Sequence, residues 1–185
     1  MRTITAEESV STEKSAVADI EKTAMLDGLA QIVGPDRVLS DSKSREFYST
    51  DLSWRPREIA EVVVQPGSLD ELSAAISLAS SREMAIVPRG GGMSYTSGYT
   101  PQRSGSMLVD MRRMNKIVEI NTDDMYVIVE AGCTWKDLYE ALAPHGVRTP
   151  YWGPLSGAYA TVGGALSQNS LFHGSGTGGT AAESV

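Results

Sequence analysis

Cysteine occurs once in this chain, at Cys133, and histidine only twice. A single thiol excludes an internal disulfide, and so small a stock of Cys and His, with no H-E-x-x-H spacing, argues against a metal centre. Cys133 reads as a small buried residue beside a glycine. No apolar run approaches the roughly 18 residues that span a bilayer, and MRTITAEESVSTEKS at the N-terminus lacks the apolar stretch of a secretory signal. The expectation is a cytoplasmic protein with no membrane span. Basic residues are outnumbered, 16 against 23 acidic, giving a net charge of −7, which argues against nucleic acid as a partner. There is no Gly-Lys pair, hence no P-loop, and no G-x-S-x-G nucleophile elbow. What is present, 41% apolar and 21% charged residues, is globular in balance.

Residues 1–15 are polar and aperiodic, as in a disordered tail. Val17, Ile20, Met25, Leu29, Ile32 and Val33 recur at helical spacing, and Gly34-Pro35 stops the helix. Residues 36–57 read as irregular. Ile59 to Val64 is β-branched and ends in Gln65-Pro66-Gly67, a strand followed by a turn. Ser68 to Glu71 is a capping box for a helix running to about Arg82, with Leu69, Leu72, Ile76 and Ala79 on its apolar face. Ala85–Val87 and Met107–Met111 are further strands. This strand–helix–strand order describes a small parallel βαβ unit. The pattern changes near residue 115. Ile117–Ile120 and Tyr126–Ala131 form a hairpin-like pair, and Thr134 caps a helix carrying Trp135, Leu138, Tyr139 and Leu142 that stops at Pro144 and Gly146. The last 35 residues, rich in Gly, Ser and Thr, have the character of a ligand-wrapping segment. The resulting division is a tail (1–15), a helical and irregular segment (16–57), a βαβ subdomain (58–114) and a truncated second subdomain (115–185).

AIVPRGGGMSYTSG, residues 85–98, carries the sharpest chemical signal. A strand runs into Gly90, Gly91 and Gly92, then Ser94. Without Cβ atoms the backbone can approach a bulky anion, and successive N–H groups can form a nest for phosphate oxygens. The bland reading is a tight turn that merely needs glycine. A second cluster, GPLSGAYATVGGALSQNS (153–170), places Thr161-Val162-Gly163-Gly164 before a short helical stretch, Ala165 to Gln168. That is either an anion site at a helix N-terminus or close packing of a helix on a sheet. A third, FHGSGTGGTAAESV (172–185), reads alone as a low-complexity loop. His173 reads as exposed rather than as a proton shuttle, and His145 as a favourable charge at a helix C-terminus. Trp54, Trp135 and Trp152 read as packing residues, Trp152 being close enough to the second cluster to meet a flat ring.

In this order and spacing the clusters, with VVVQPGSLDEL, MLVDMRRMNKIVEIN and YVIVEAGCTWKDLYEALAPHG between them, resemble the FAD-binding domain of the vanillyl-alcohol-oxidase/PCMH flavoprotein superfamily. Within it the likeness is to the glycolate-oxidase subunit, D-lactate dehydrogenase and alkyl-dihydroxyacetonephosphate-synthase group, and it covers about residues 58–185. It implies an α+β fold, in which a small parallel βαβ subdomain is followed by an incomplete antiparallel sheet with helices, and FAD lies between them. By match to the family motif, Arg89, Gly90, Gly91, Gly92, Met93 and Ser94 would embrace the FAD pyrophosphate, mainly through backbone N–H groups. Pro154, Ser156, Thr161, Val162, Gly163 and Gly164 would line the cofactor towards the ribityl chain and flavin. Gly179, Glu183 and Val185 would lie near the adenosine half.

Two departures are visible. Members that bind flavin covalently through this loop carry histidine after the glycines; here Met93 stands there, so FAD is expected to be non-covalent. Relatives usually carry an Arg-Tyr pair where this chain has Thr177 and Gly178. The resemblance implies oxidation of a small-molecule substrate, a 2-hydroxy acid or similar alcohol, by hydride transfer to flavin. No catalytic base is identified. The chain stops at AAESV where further strands are expected, which suggests a fragment or one piece of an assembly, with a C-terminal substrate domain or partner subunit elsewhere. The alternatives are a non-catalytic FAD-binding accessory subunit or inactive fragment, a UDP-sugar reductase of the same fold, and a phosphate binder unrelated to flavin.

Overall fold

The computed structural model describes residues 6–53, 56–150 and 153–185. Helix α1 spans Ala6–Val33, so residues 6–15 extend the helix rather than form a loose tail; residues 1–5 lie outside the described set. Its inward side carries Met25, Leu29 and Val33, all buried, whereas Ile20, expected on the same face, is 68% exposed. Gly34 ends the helix at positive φ, but with ψ 146° rather than in the left-handed helical region. The stretch read as irregular contains a short strand, β1 (Val38–Leu39), and a helix, α2 (Ser42–Ser49). Asp41 caps α2 by accepting from the Ser44 amide. That cap was readable, but the helix itself has little apolar periodicity to announce it.

The first sheet holds β1, β2 (Val62–Val64), β4 (Ser106–Asp110) and β3 (Ala85–Arg89), in the order β1-β2-β4-β3. Strands β2 and β3 both run parallel to β4, and β1 is antiparallel to β2. The βαβ unit is therefore split: α3 (Leu69–Ser81) connects β2 to β3, and β4 inserts between them. Burial on both faces explains the unbroken apolar runs of β2 and β4. On one face Met25 and Leu29 of α1 and Ala75 and Ala79 of α3 pack on Val62, Val64, Met107 and Val109. On the other, Tyr48 and Ala60 cover Val63 and Leu108. Ser68 accepts from the Glu71 amide, while the Glu71 carboxylate reaches the Gly67 amide, one residue earlier than a standard capping box. Leu69, placed by periodicity on the apolar face, is 70% exposed; it sits in the first turn, before the helix meets the sheet.

The second sheet is an antiparallel pair, β5 (Ile117–Asn121) and β6 (Tyr126–Val129). Helix α4 (Trp135–Leu142) follows, capped by Thr134, and ends through a tight turn at Gly146, which is left-handed as its place after Pro144 predicts. Cys133, Trp135, Leu138, Leu142 and Ala165 form its core. Burial, with Asp137 nearby, pushes the Cys133 thiol up to about 11, so it is an inert packing group. The short helical stretch expected at Ala165 to Gln168 is helix α5, Val162–Ser167, and the remaining tail, expected to be a wrapping loop, contains a further short helix at Ser175–Gly178 (α6).

At the C-terminal end of β4, Asp110 is buried and accepts from Arg112 and from Gln65. Burial alone would raise its carboxyl; hydrogen bonds from Arg112 and Gln65 outweigh that and leave it below the ordinary value. A carboxyl depressed in the folded state stabilises above its unfolded value, and that stability is lost as pH falls through the folded value. Asp110→Asn should therefore lower unfolding free energy by about 2 kcal/mol at neutral pH. Denaturant titrations should show the gap closing in acid below the ordinary carboxylate range; a gap that is independent of pH would show that the charge is not what stabilises.

Candidate functional site

The loop leaving β3 and the segment 153–170 face each other across a cleft of about 370 Å³. Gly90, Gly91, Gly92, Met93 and Ser94 line one wall, and Pro154, Ser156, Thr161 and Gly164 the other, so nine of the residues singled out by sequence come together. The walls pack backbone on backbone at Gly91, and backbone against the Thr161 side chain at Gly90. A Cβ on Gly91 would overlap the Tyr159 carbonyl, and one on Gly90 would overlap the Thr161 hydroxyl. Glycine is thus required here by the junction itself, a reason additional to ligand approach.

Among the described residues, the amides of Gly90, Gly91, Gly92, Met93 and Ser94 donate no hydrogen bond within the chain. The carbonyls behave differently: Tyr99 donates its hydroxyl to the Gly92 oxygen at 2.8 Å, and the Leu52 amide donates to the Ser94 oxygen at 3.2 Å. Two of the five carbonyls, those of Gly92 and Ser94, are tied back to the protein, while all five N–H groups are left to an external acceptor. That is the electrostatic arrangement of an anion-binding nest, with N–H groups open to water or to a ligand in the cleft.

The second glycine cluster is different. The Val162 amide donates to the Cys133 carbonyl, Gly163 to Ala131, and Gly164 to the Thr161 hydroxyl. A Cβ on Gly163 would meet Ala131 within 2.7 Å. The N-terminus of α5 is therefore satisfied internally, and close packing explains Gly163, whereas Gly164 has only the Thr161 hydroxyl beside it and lines the cleft. Val162 and Gly163 face a separate apolar groove of about 570 Å³ between the β5–β6 pair and α4, as does Val185. Glu183 turns its carboxylate to the Thr180 amide, completing a capping box, and lies against Gly179. Gly179 and Glu183 line neither the cleft nor this groove.

Arg89 does not line the cleft. It lies beneath the loop, 6% exposed, with its guanidinium packed where a Gly92 side chain would be. Residues that the sequence reading did not assign to the site also line it: Tyr95, Thr96, Tyr99, Gln168 and Phe172, with Trp135. Gln168 donates to the Ser94 hydroxyl at 2.9 Å across the cleft. Only the polar end of α5 hinted at that contact, because it depends on where two distant segments meet. His173 and His145 are exposed; Trp54 and Trp152 lie outside the described residues. Among the described residues no group of His, Cys, Asp or Glu could hold a metal ion, and no helix is long and apolar enough to cross a membrane.

Comparison with known proteins gives a consistent result. The FAD binding domain family model matches residues 60–185. The chain is 30% identical over 142 residues to glycolate oxidase subunit GlcD of Bacillus subtilis, covering 77% of this chain and 30% of that protein. It is 33% identical over 146 residues to a D-lactate dehydrogenase of Archaeoglobus fulgidus, covering 78% and 31%. An alkyldihydroxyacetonephosphate synthase structure superimposes with a TM-score of 0.77 at 25% identity, over 85% of this chain and 34% of that one. Substrate-bound p-cresol methylhydroxylase, at 18% identity and a TM-score of 0.71 over 80% and 30%, shares the fold. The chain spans about a third of the length of the relatives it matches.

Gly91→Ala forces the loop away from the Tyr159 carbonyl. The variant should lose flavin retention and melt at a lower temperature while far-UV circular dichroism stays close to that of the parent. Undiminished flavin content would show that the junction tolerates the methyl group.

Proposed function

From a chain that belongs to the FAD binding domain family, we propose a cytoplasmic FAD-dependent oxidoreductase, of which residues 60–185 hold the cofactor in the cleft under the triple glycine. The observation that carries this is the row of undonated amides from Gly90 to Ser94. A diphosphate is the ligand chemistry such a row suits: its oxygens accept several N–H bonds at once, and no Cβ of Gly90 to Gly92 intrudes. The fit extends to the lining, where Trp135, Tyr99 and Phe172 offer ring and apolar surface beside polar Ser94, Ser156 and Gln168. FAD bound there supplies a two-electron acceptor; the chain's own residues bind and orient it. The substrate class is a 2-hydroxy acid or similar alcohol, in keeping with relatives named glycolate oxidase subunit, D-lactate dehydrogenase and D-2-hydroxyglutarate dehydrogenase.

A second reading is favoured by what lines the cleft. No histidine, carboxylate, lysine or arginine is among its described lining residues, which leaves Tyr95 and Tyr99 as the only titratable side chains among them. On this reading the chain is an FAD-binding portion without turnover of its own, and the substrate-orienting groups belong to a C-terminal domain or partner subunit.

The purified chain should turn yellow on addition of FAD and hold it through gel filtration. Anaerobic addition of glycolate or D-lactate then separates the readings: bleaching of the flavin band by the chain alone supports the first, and bleaching only with the remaining part of the enzyme supports the second. A protein that never retains FAD sinks both.

Met93 occupies the loop position from which related proteins link flavin covalently, and a thioether has no nucleophilic N–H or thiolate to form a stable bond. Acid precipitation of the loaded protein should leave all flavin in the supernatant; colour in the pellet would reverse the assignment.

A further inference from the structure

We infer that Arg89 is a positioning residue: its buried guanidinium, wedged beneath Gly92, holds the Gly90–Ser94 amides outward and places behind them a positive charge that has no hydrogen-bonded counter-ion. This rests on the reading that FAD diphosphate lies on that loop.

The side chain leaves the last residue of β3 and turns inward. Its guanidinium carbon lies 5.0 Å from the Tyr48 ring centre, 5.2 Å from Tyr99 and 5.7 Å from Phe47. Such a box of ring faces attracts a cation most when water is excluded. Nε and Nη1 have no hydrogen-bond partner among the described residues. Asp110, paired with Arg89 in the β3–β4 register, gives both carboxylate oxygens to Arg112 and Gln65 instead. The Arg89 charge is therefore held by rings, not by a bonded counter-ion. A buried cation without one is costly, and a diphosphate across one layer of backbone offsets that cost.

The geometry also shapes the loop. Gly92 stands at φ +72°, and the space its side chain would take is filled by the guanidinium. Tyr99 performs two tasks at once, its ring stacking on Arg89 and its hydroxyl fixing the Gly92 carbonyl. Ring, cation and carbonyl anchor form one support under the nest. The charge belongs to an arginine, which keeps its proton even though burial pulls the group below its ordinary value.

The test is FAD titration by flavin fluorescence on the 185-residue chain and on Arg89→Met, Arg89→Lys and Tyr99→Phe, with amide hydrogen exchange in the flavin-free proteins read at Leu52 and Thr96, whose amides donate to Ser94 of the loop. Arg89→Met should weaken FAD about tenfold or more and speed exchange in the loop, leaving β2 and β4 protected. Arg89→Lys should recover part of the affinity by restoring the charge. Tyr99→Phe, which keeps the ring but drops the anchor, should speed loop exchange and weaken FAD by about threefold. If Arg89→Met fails to fold, Tyr99→Phe decides. Wild-type affinity with unchanged exchange in either Arg89→Met or Tyr99→Phe overturns the inference while leaving FAD binding intact. Absence of FAD binding by the parent protein instead defeats the functional reading, and loop exchange still reports whether Arg89 holds the loop.

Discussion

Two chain segments meet through Gly90 and Gly91 with no room for a side chain on either glycine, and the site depends on that meeting. The Gly90–Gly91 peptide lies against Tyr159 and Thr161, so the loop of the parallel sheet and the segment leading into α5, the two walls of the cleft, join along one edge. Side chains cannot be packed at such a junction. The cleft exists because the two segments touch at one edge and diverge from it, and any atom added at Gly91 acts on both.

The parallel sheet has the simpler task. Strand β4 inserted between β2 and β3 is buried on both sides, which makes its C-terminal end a fixed reference point. The end of β3 and the loop beyond it emerge beside the end of β4, where open sheets place ligands. Asp110, Arg112, Gln65 and Tyr48 brace that edge with hydrogen bonds. Because Asp110 is fully occupied there, it leaves Arg89 to the aromatic rings. The polar network of one strand end thus sets the electrostatics of the loop on its neighbour.

Much of this was legible in the chain. Ser68 and Thr134 announced α3 and α4 because a cap acts within three residues, and the β-branched runs announced β2 and β4. The triple glycine announced a loop with backbone to offer. The insertion of β4 was not legible, since strand order is decided by packing over long separations. Nor was α2, whose capping Asp41 precedes SKSREFYS, a stretch with almost no apolar stripe. Ile20 and Leu69 had the right spacing but lie beyond the contact between helix and sheet, where periodicity has nothing to pack against.

The two glycine clusters show where sequence reasoning stops. Both offered the same two explanations, an anion site or tight packing, and composition does not separate them. The destination of the amides does. At Val162–Gly164 each N–H ends on a protein oxygen, so these amides have no bond left for a ligand, and Gly163 serves packing against Ala131. At Gly90–Ser94 the N–H groups end on no protein acceptor while the carbonyls of Gly92 and Ser94 are tied down. A glycine-rich segment becomes a binding element only when its backbone dipoles are left unspent in one direction, and that property belongs to the surroundings. Arg89 makes the same point from below: a motif residue read as a ligand contact is turned away from the cleft by the rings of Tyr48, Phe47 and Tyr99, and its influence reaches the cleft through the loop it supports.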